Sequence, residues 1–170
     1  RRIEQASQQT NTWCLMAGAS GPVDPRRVLR RILSKRDRTL ARSGPYFWSY
    51  MLPLLDKAGL TREALAEVKR LWSIMLKHGA TTLWETFTGD DLDSYCHPWS
   101  GAPLDFLLRH VAGIGSLPGG VSEMTLRPRP EPFRSFVLMA VQRRRRRRPP
   151  GWPGRVRRPA VAVVPRSHRA

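Results

Sequence analysis

Between Tyr46 and Lys77 two apolar runs at helical spacing meet at one glycine, and that junction limits what this chain can build. Phe47, Met51, Leu54 and Leu55 mark the first stripe; Leu65, Val68, Leu71, Trp72, Met75 and Leu76 mark the second. Apolar residues recurring at three- and four-residue steps give a helix one buried face. Gly59 ends the first helix, about Tyr46 to Ala58, and Thr61 is placed to cap the second, Glu63 to Lys77. Helices joined by so short a loop pack antiparallel. Pro53 falls inside the first pattern, where it should kink the helix or move its start later.

The residues before this hairpin suggest another. Residues 2–17 read as a helix whose later turns carry Trp13, Leu15 and Met16, with Gly18 as its stop and Trp13, like Trp72, in the core. Asp24 precedes Pro25, an N-cap followed by the residue best tolerated at a first helical position. Val28, Leu29, Ile32 and Leu33 then form a buried stripe, while Arg26, Arg27, Arg30, Arg31 and Lys35 read as a solvated face. Two hairpins fit the first 78 residues, although no internal sequence repeat is visible.

The helical pattern stops at His78-Gly79, and the composition changes. Gly79-Ala80-Thr81-Thr82-Leu83-Trp84-Glu85 leads into an acidic turn containing Asp90, Asp91 and Asp93. Ser94-Tyr95-Cys96-His97-Pro98-Trp99-Ser100-Gly101-Ala102-Pro103 follows, then a fifth helix to Gly113 with Leu104, Leu107, Leu108 and Val111 expected inside. One carboxylate, one imidazole and two indoles thus converge on a helix-to-helix connection, and loops held by rigid helices are where sites usually sit. Each residue also has an ordinary structural reading. A histidine before a helix is often a hydrogen-bonded capping group, tryptophans at junctions are often core, and acidic turns are commonly solvated.

Those motifs, with Leu107-Leu108-Arg109-His110-Val111-Ala112-Gly113-Ile114, resemble the closing part of bacterial α-L-rhamnosidases (glycoside hydrolase family 78). These are six-hairpin glycosidases built on an (α/α)6 barrel. The resemblance implies a mainly α fold and a carbohydrate partner, a rhamnosyl glycoside. It also implies that Glu85 is the general base of an inverting hydrolysis and that His97 contacts the sugar; Trp84 and Trp99 are candidates to stack on it. Neighbouring six-hairpin families share parts of the pattern, so another sugar specificity stays open. About five helices are legible where the barrel needs twelve. The chain is therefore expected to be a C-terminal part of a longer enzyme, inactive alone, with its general acid in earlier hairpins. Residues 1–116 would belong to the barrel, 117–141 to the remnant of a C-terminal β-sandwich with strands over 122–127 and 133–141, and 142–170 to a disordered tail.

The tail carries the alternative reading. Net charge is +17, but residues 143–170 hold 11 arginines and no acid, whereas residues 1–142 balance 19 Lys and Arg against 13 Asp and Glu. Six consecutive arginines followed by a Pro/Gly-rich stretch cannot build a core. A basic arm of this kind would make the protein a helical module that grips nucleic acid; Arg, Pro, Ala, Gly and Val are equally what GC-rich DNA encodes in a shifted frame, the reading preferred here. Cys14 and Cys96 form no CxxC and, with four scattered histidines, lack zinc-site spacing. Buried thiols are expected, and no cofactor or metal. No apolar run is long enough to span a bilayer.

Overall fold

The computed structural model of the chain describes residues 6–34, 38–89, 94–115, 127–129, 135–140 and 160–165. It divides into two compact units, residues 1–107 and 108–170.

The first unit is helical. Helix α1, Gln8–Met16, starts where Ser7 accepts a hydrogen bond from the Thr10 amide at 3.0 Å, so residues 6 and 7 precede the helix instead of lying in it. The expectation for residues 2–5 falls outside the described residues. The inward face of α1 is also not the apolar one. Gln8 and Thr12 are buried, while Trp13 and Met16 are half exposed, at 47% and 48%. The cause is a polar clasp: Gln8 donates from Nε2 to the Ile32 carbonyl at 2.8 Å and accepts through Oε1 from the Ser43 amide at 2.8 Å. Buried polar groups survive in a core when both ends are satisfied in this way. Gln8 thus ties α1 to helix α2, Pro25–Leu33, and to the connection after it. Helix α2 starts as its sequence demands, with Asp24 accepting from the Arg26 amide at 2.9 Å, and it buries Leu29 and Ile32.

A 3-10 turn, Pro45–Phe47, leads into helix α3, Trp48–Lys57. The helix starts later than Tyr46, and it runs without interruption through Pro53. Trp48, Met51, Leu52 and Leu55 are its fully or nearly buried residues, while Leu54 is half-buried. Gly59 turns the chain with φ 71°, a conformation glycine adopts at no steric cost, and helix α4, Thr61–Lys77, packs back on α3. Thr61 does not cap α4. It is the first helical residue and its hydroxyl donates to Asp56 Oδ1 at 2.7 Å, which fastens the two ends of the turn to each other. On α4 the buried residues are Ala64, Leu71 and Met75; Leu76, expected inside, is 69% exposed. Arg30 reaches Glu63 at 3.6 Å with both side chains largely solvated, an ion pair of little consequence for stability.

After the site segment, a 3-10 turn over Pro98–Gly101 and the short helix α5, Ala102–Phe106, close the unit. Ala102 and Phe106 point inward. Leu104, Leu107 and Leu108 are exposed, so the core-facing residues of this segment differ from those the spacing suggested, apart from buried Val111. The reason lies in the backbone. A uniform α-helix from Pro103 would bring those leucines to one side, whereas the chain passes from 3-10 to α to a π-helical turn, Leu107–Val111, and the phase changes twice. Both cysteines are exposed and unpaired, not buried.

In the second unit Gly113 takes φ 68° and presents its carbonyl to the Arg127 amide at 2.9 Å, while Arg129 donates to the Val111 carbonyl at 2.8 Å. A Cβ at Gly113 would stand 1.8 Å from the Arg127 carbonyl oxygen, so no larger residue fits that contact. Strands β1, Ser135–Ala140, and β2, Ala160–Pro165, pair antiparallel with Ser135 opposite Pro165. β1 lies within the stretch expected to be extended. β2 falls within the stretch 142–170 expected to be a disordered tail, on its Ala/Val run. The arginine run and, apart from Arg127, the expected strand over 122–127 lie outside the described residues.

Candidate active site

Gly79 ends α4 with φ 80°, and the Ala80 amide closes the turn on the Met75 carbonyl at 3.0 Å. Beyond it two irregular segments run side by side. Glu85 donates its amide to the Ser94 carbonyl at 3.1 Å, and His97 donates its amide to the Leu83 carbonyl at 2.7 Å. The Thr82 hydroxyl bonds to the Tyr95 carbonyl between the same segments. These contacts bring a carboxylate and an imidazole twelve positions apart to one place. His97 has extended geometry, φ −122° and ψ 92°, as the residue before a proline should, and Pro98 opens the following 3-10 turn.

Ser100 anchors this arrangement from beneath. It is fully buried, its hydroxyl donates to the Trp84 carbonyl at 2.6 Å, and its own carbonyl accepts from Trp72 Nε1 at 2.9 Å. Trp72, half-buried, in turn meets Phe87 edge-on at 5.1 Å. The backbone immediately before Glu85 is therefore fixed by a buried serine of the second motif, to which no role was assigned from the sequence.

Glu85, His97 and Trp99 line one cleft of about 320 Å³ together with Gln9, Gly44, Pro45, Tyr46 and Phe47. Trp99 is 59% exposed; its ring lies 4.7 Å from His97 and 5.3 Å from Tyr46, forming one aromatic wall. Tyr46 continues the wall outward through a hydroxyl contact of 3.0 Å to Tyr50, which raises the Tyr50 pKa above its ordinary value, first by that hydrogen bond, then by electrostatic interaction with Tyr46, then by burial. Opposite chemistry comes from Glu85. Its Oε2 is closed to solvent and meets no donor, and the same holds for Gln9 Oε1.

Of the residues expected at a site, Glu85, His97 and Trp99 are thus brought together, and Trp84 is not. Half-buried Trp84 packs edge-on against Tyr95 at 5.4 Å and is not part of the cleft lining. Asp90, Asp91 and Asp93 lie outside the described residues. Gln9, Gly44, Pro45, Tyr46 and Phe47 join the lining from a part of the chain some forty to ninety residues earlier; legible signals existed for Tyr46, an aromatic at a helix start, and for Gln9, which with Asn11 resembles the family's polar start to the first helix. Among the described residues no group of three or more His, Cys, Asp or Glu could hold a metal ion, and no helix is long and apolar enough to cross a membrane.

Comparisons with known proteins give the family. Residues 3–111 match the bacterial alpha-L-rhamnosidase 6 hairpin glycosidase domain. A GH78 family rhamnosidase of Bacillus sp. GL1 superposes with a TM-score of 0.62 at 27% identity, over 76% of this chain and 15% of that one. A rhamnosidase from Klebsiella oxytoca, solved with rhamnose bound, gives 0.50 at 28% identity, over 62% of this chain and 22% of that one. The chain therefore spans well under a quarter of the first and less than a quarter of the second. No curated protein matches at a significant level. Matched over more than half its length, the chain belongs to the bacterial alpha-L-rhamnosidase family through its six-hairpin glycosidase domain.

Proposed function

We propose that the cleft is the general-base side of a rhamnosyl-binding site in an inverting glycoside hydrolase. The observation that carries the reading is the convergence of Glu85, His97 and Trp99 on one cleft within the segment matched to the family. Inversion needs two carboxyl groups on opposite faces of the scissile bond, about 6.5–9.5 Å apart, so that a water fits between one of them and the sugar. Glu85 takes a proton from that water as its oxygen attacks the anomeric carbon. The bond to the leaving oxygen breaks on the opposite face, where a carboxylic acid protonates it.

That acid belongs, on this reading, to hairpins outside these 170 residues, which fits a chain covering 15% and 22% of the solved rhamnosidases. His97 bonds a sugar hydroxyl. Trp99 offers an exposed ring face to the apolar side of the pyranose, with Tyr46 at its edge. Trp84 is assigned to packing. Titrating the chain with L-rhamnose tests the assignment: resonances of His97 and Trp99 should move together, with those of β1 and β2 unmoved. Absence of any shift in the cleft up to high millimolar sugar would contradict it.

A further inference from the structure

Two sealed oxygens on side chains that line one cleft carry a more specific reading. Burying a polar atom with no partner costs about 1–3 kcal/mol, and native proteins rarely leave one unpaired. Here Glu85 Oε2 and Gln9 Oε1 are both closed to solvent, both lack a donor, and both belong to side chains lining the same cleft. Water cannot satisfy atoms it does not reach. A terminal amide, however, exchanges its oxygen for its NH2 group by turning 180° about its last side-chain bond. We infer that Gln9 is the positioning residue of Glu85: its Nε2, turned to the place Oε1 occupies, donates to Glu85 Oε2 and leaves the other carboxylate oxygen to face the attacking water.

The backbone around Gln9 is built for such a task. Ser7 caps the turn that contains it, through the Thr10 amide. The neighbouring Gln8 is clamped at its side chain by the Ile32 carbonyl and the Ser43 amide, and at its own amide by the Ala41 carbonyl at 3.0 Å. The backbone of Gln9 is therefore held by its neighbours in sequence, which fixes where its side chain starts. A donor fixed on one carboxylate oxygen restricts rotation of the group and selects which lone pairs meet the water, the preorganisation that proton transfer in a cleft requires.

This inference rests on Glu85 being the base, but it is tested separately, by NMR of the 15N-labelled 170-residue chain. Of the two Gln9 side-chain amide protons, one should be shifted downfield and should exchange at least ~10-fold more slowly than a free glutamine amide, as expected for a hydrogen bond to a charged acceptor. Glu85→Ala should abolish both signatures while the amide spectrum of α3 and α4 stays in place. In the assembled rhamnosidase Gln9→Leu should lower kcat by about 10-fold with KM within about twofold, because the loss is in orienting the base and not in holding the sugar. Gln9 amide protons at the free-amide position with unprotected exchange in the wild-type chain would overturn the contact, and this result does not depend on any variant folding. An unprotected Gln9 amide beside an inactive Glu85→Gln enzyme removes the contact alone. A protected amide beside an active Glu85→Gln enzyme removes the base and leaves the contact.

Discussion

Ser100 donates its hydroxyl hydrogen to the carbonyl of Trp84 at 2.6 Å, one residue before Glu85. The serine is wholly buried, so removing its hydroxyl takes from the Trp84 carbonyl a donor held inside the core. Ser100→Ala should therefore lower unfolding stability by about 1–3 kcal/mol. A denaturant melt should show the midpoint falling with the slope preserved. An unchanged midpoint would mean that the loop carrying Glu85 is held by other contacts.

The two phenols at the outer edge of the cleft give a pH-dependent test. Tyr46 raises the pKa of Tyr50, so Tyr46→Phe should bring Tyr50 ionisation back towards the ordinary 10.0. The sign follows from linkage. A raised folded value means the neutral phenol is favoured, so its contribution to stability is present below 10.0 and is lost as pH rises through the folded value. Ultraviolet titration of phenolate absorbance in both proteins reads this directly. Identical alkaline curves for Tyr50 would contradict it.

The chain on its own should be catalytically inert, since the proposed mechanism needs a second carboxyl group on the opposite face of the bond. Purified protein incubated with an aryl α-L-rhamnoside should release no phenol above blank. Robust release that disappears in Glu85→Gln would place the general acid inside these 170 residues.

Much of this organisation is legible in the sequence, and the gaps have physical causes. Asp24 acts through a local side-chain cap and Pro25 and Gly59 through their own backbones, and helix α2 and the turn into α4 appear where those residues require them. Glu85, His97 and Trp99 stand out because their residue types converge on one connection, and the backbone pairing of residues 83–85 with 94–97 brings them to one cleft. Gln8 was invisible because its role depends on a carbonyl and an amide 24 and 35 positions away. Ser100 was invisible because a serine in a polar loop carries no periodic signal. Trp13 misled for the opposite reason. An indole suggests core, yet Trp13 stays half exposed while its ring rests 4.9 Å from Tyr50 and 5.7 Å from Phe47, and a glutamine takes the buried face. The leucines of the last helical segment misled because spacing arguments assume one helix type, and here three follow one another.

His97→Ala should separate a sugar contact from a proton acceptor. It removes a group that holds the substrate in ground and transition states alike, so KM should rise along with any loss in kcat. Steady-state kinetics and a melting curve on the assembled enzyme would check it. A lowered melting temperature with kcat and KM preserved per folded molecule would instead assign the His97 ring to structure, through its packing 4.7 Å from Trp99.

The most direct test is kcat for Glu85→Gln in the rhamnosidase assembled with its remaining hairpins. The substitution keeps size and hydrogen bonding and deletes only the proton acceptor. Rhamnose affinity and melting temperature should be retained while kcat falls by the ~10²–10⁴ that general-base catalysis contributes. A well-folded Glu85→Gln enzyme with wild-type kcat would contradict the account at its centre.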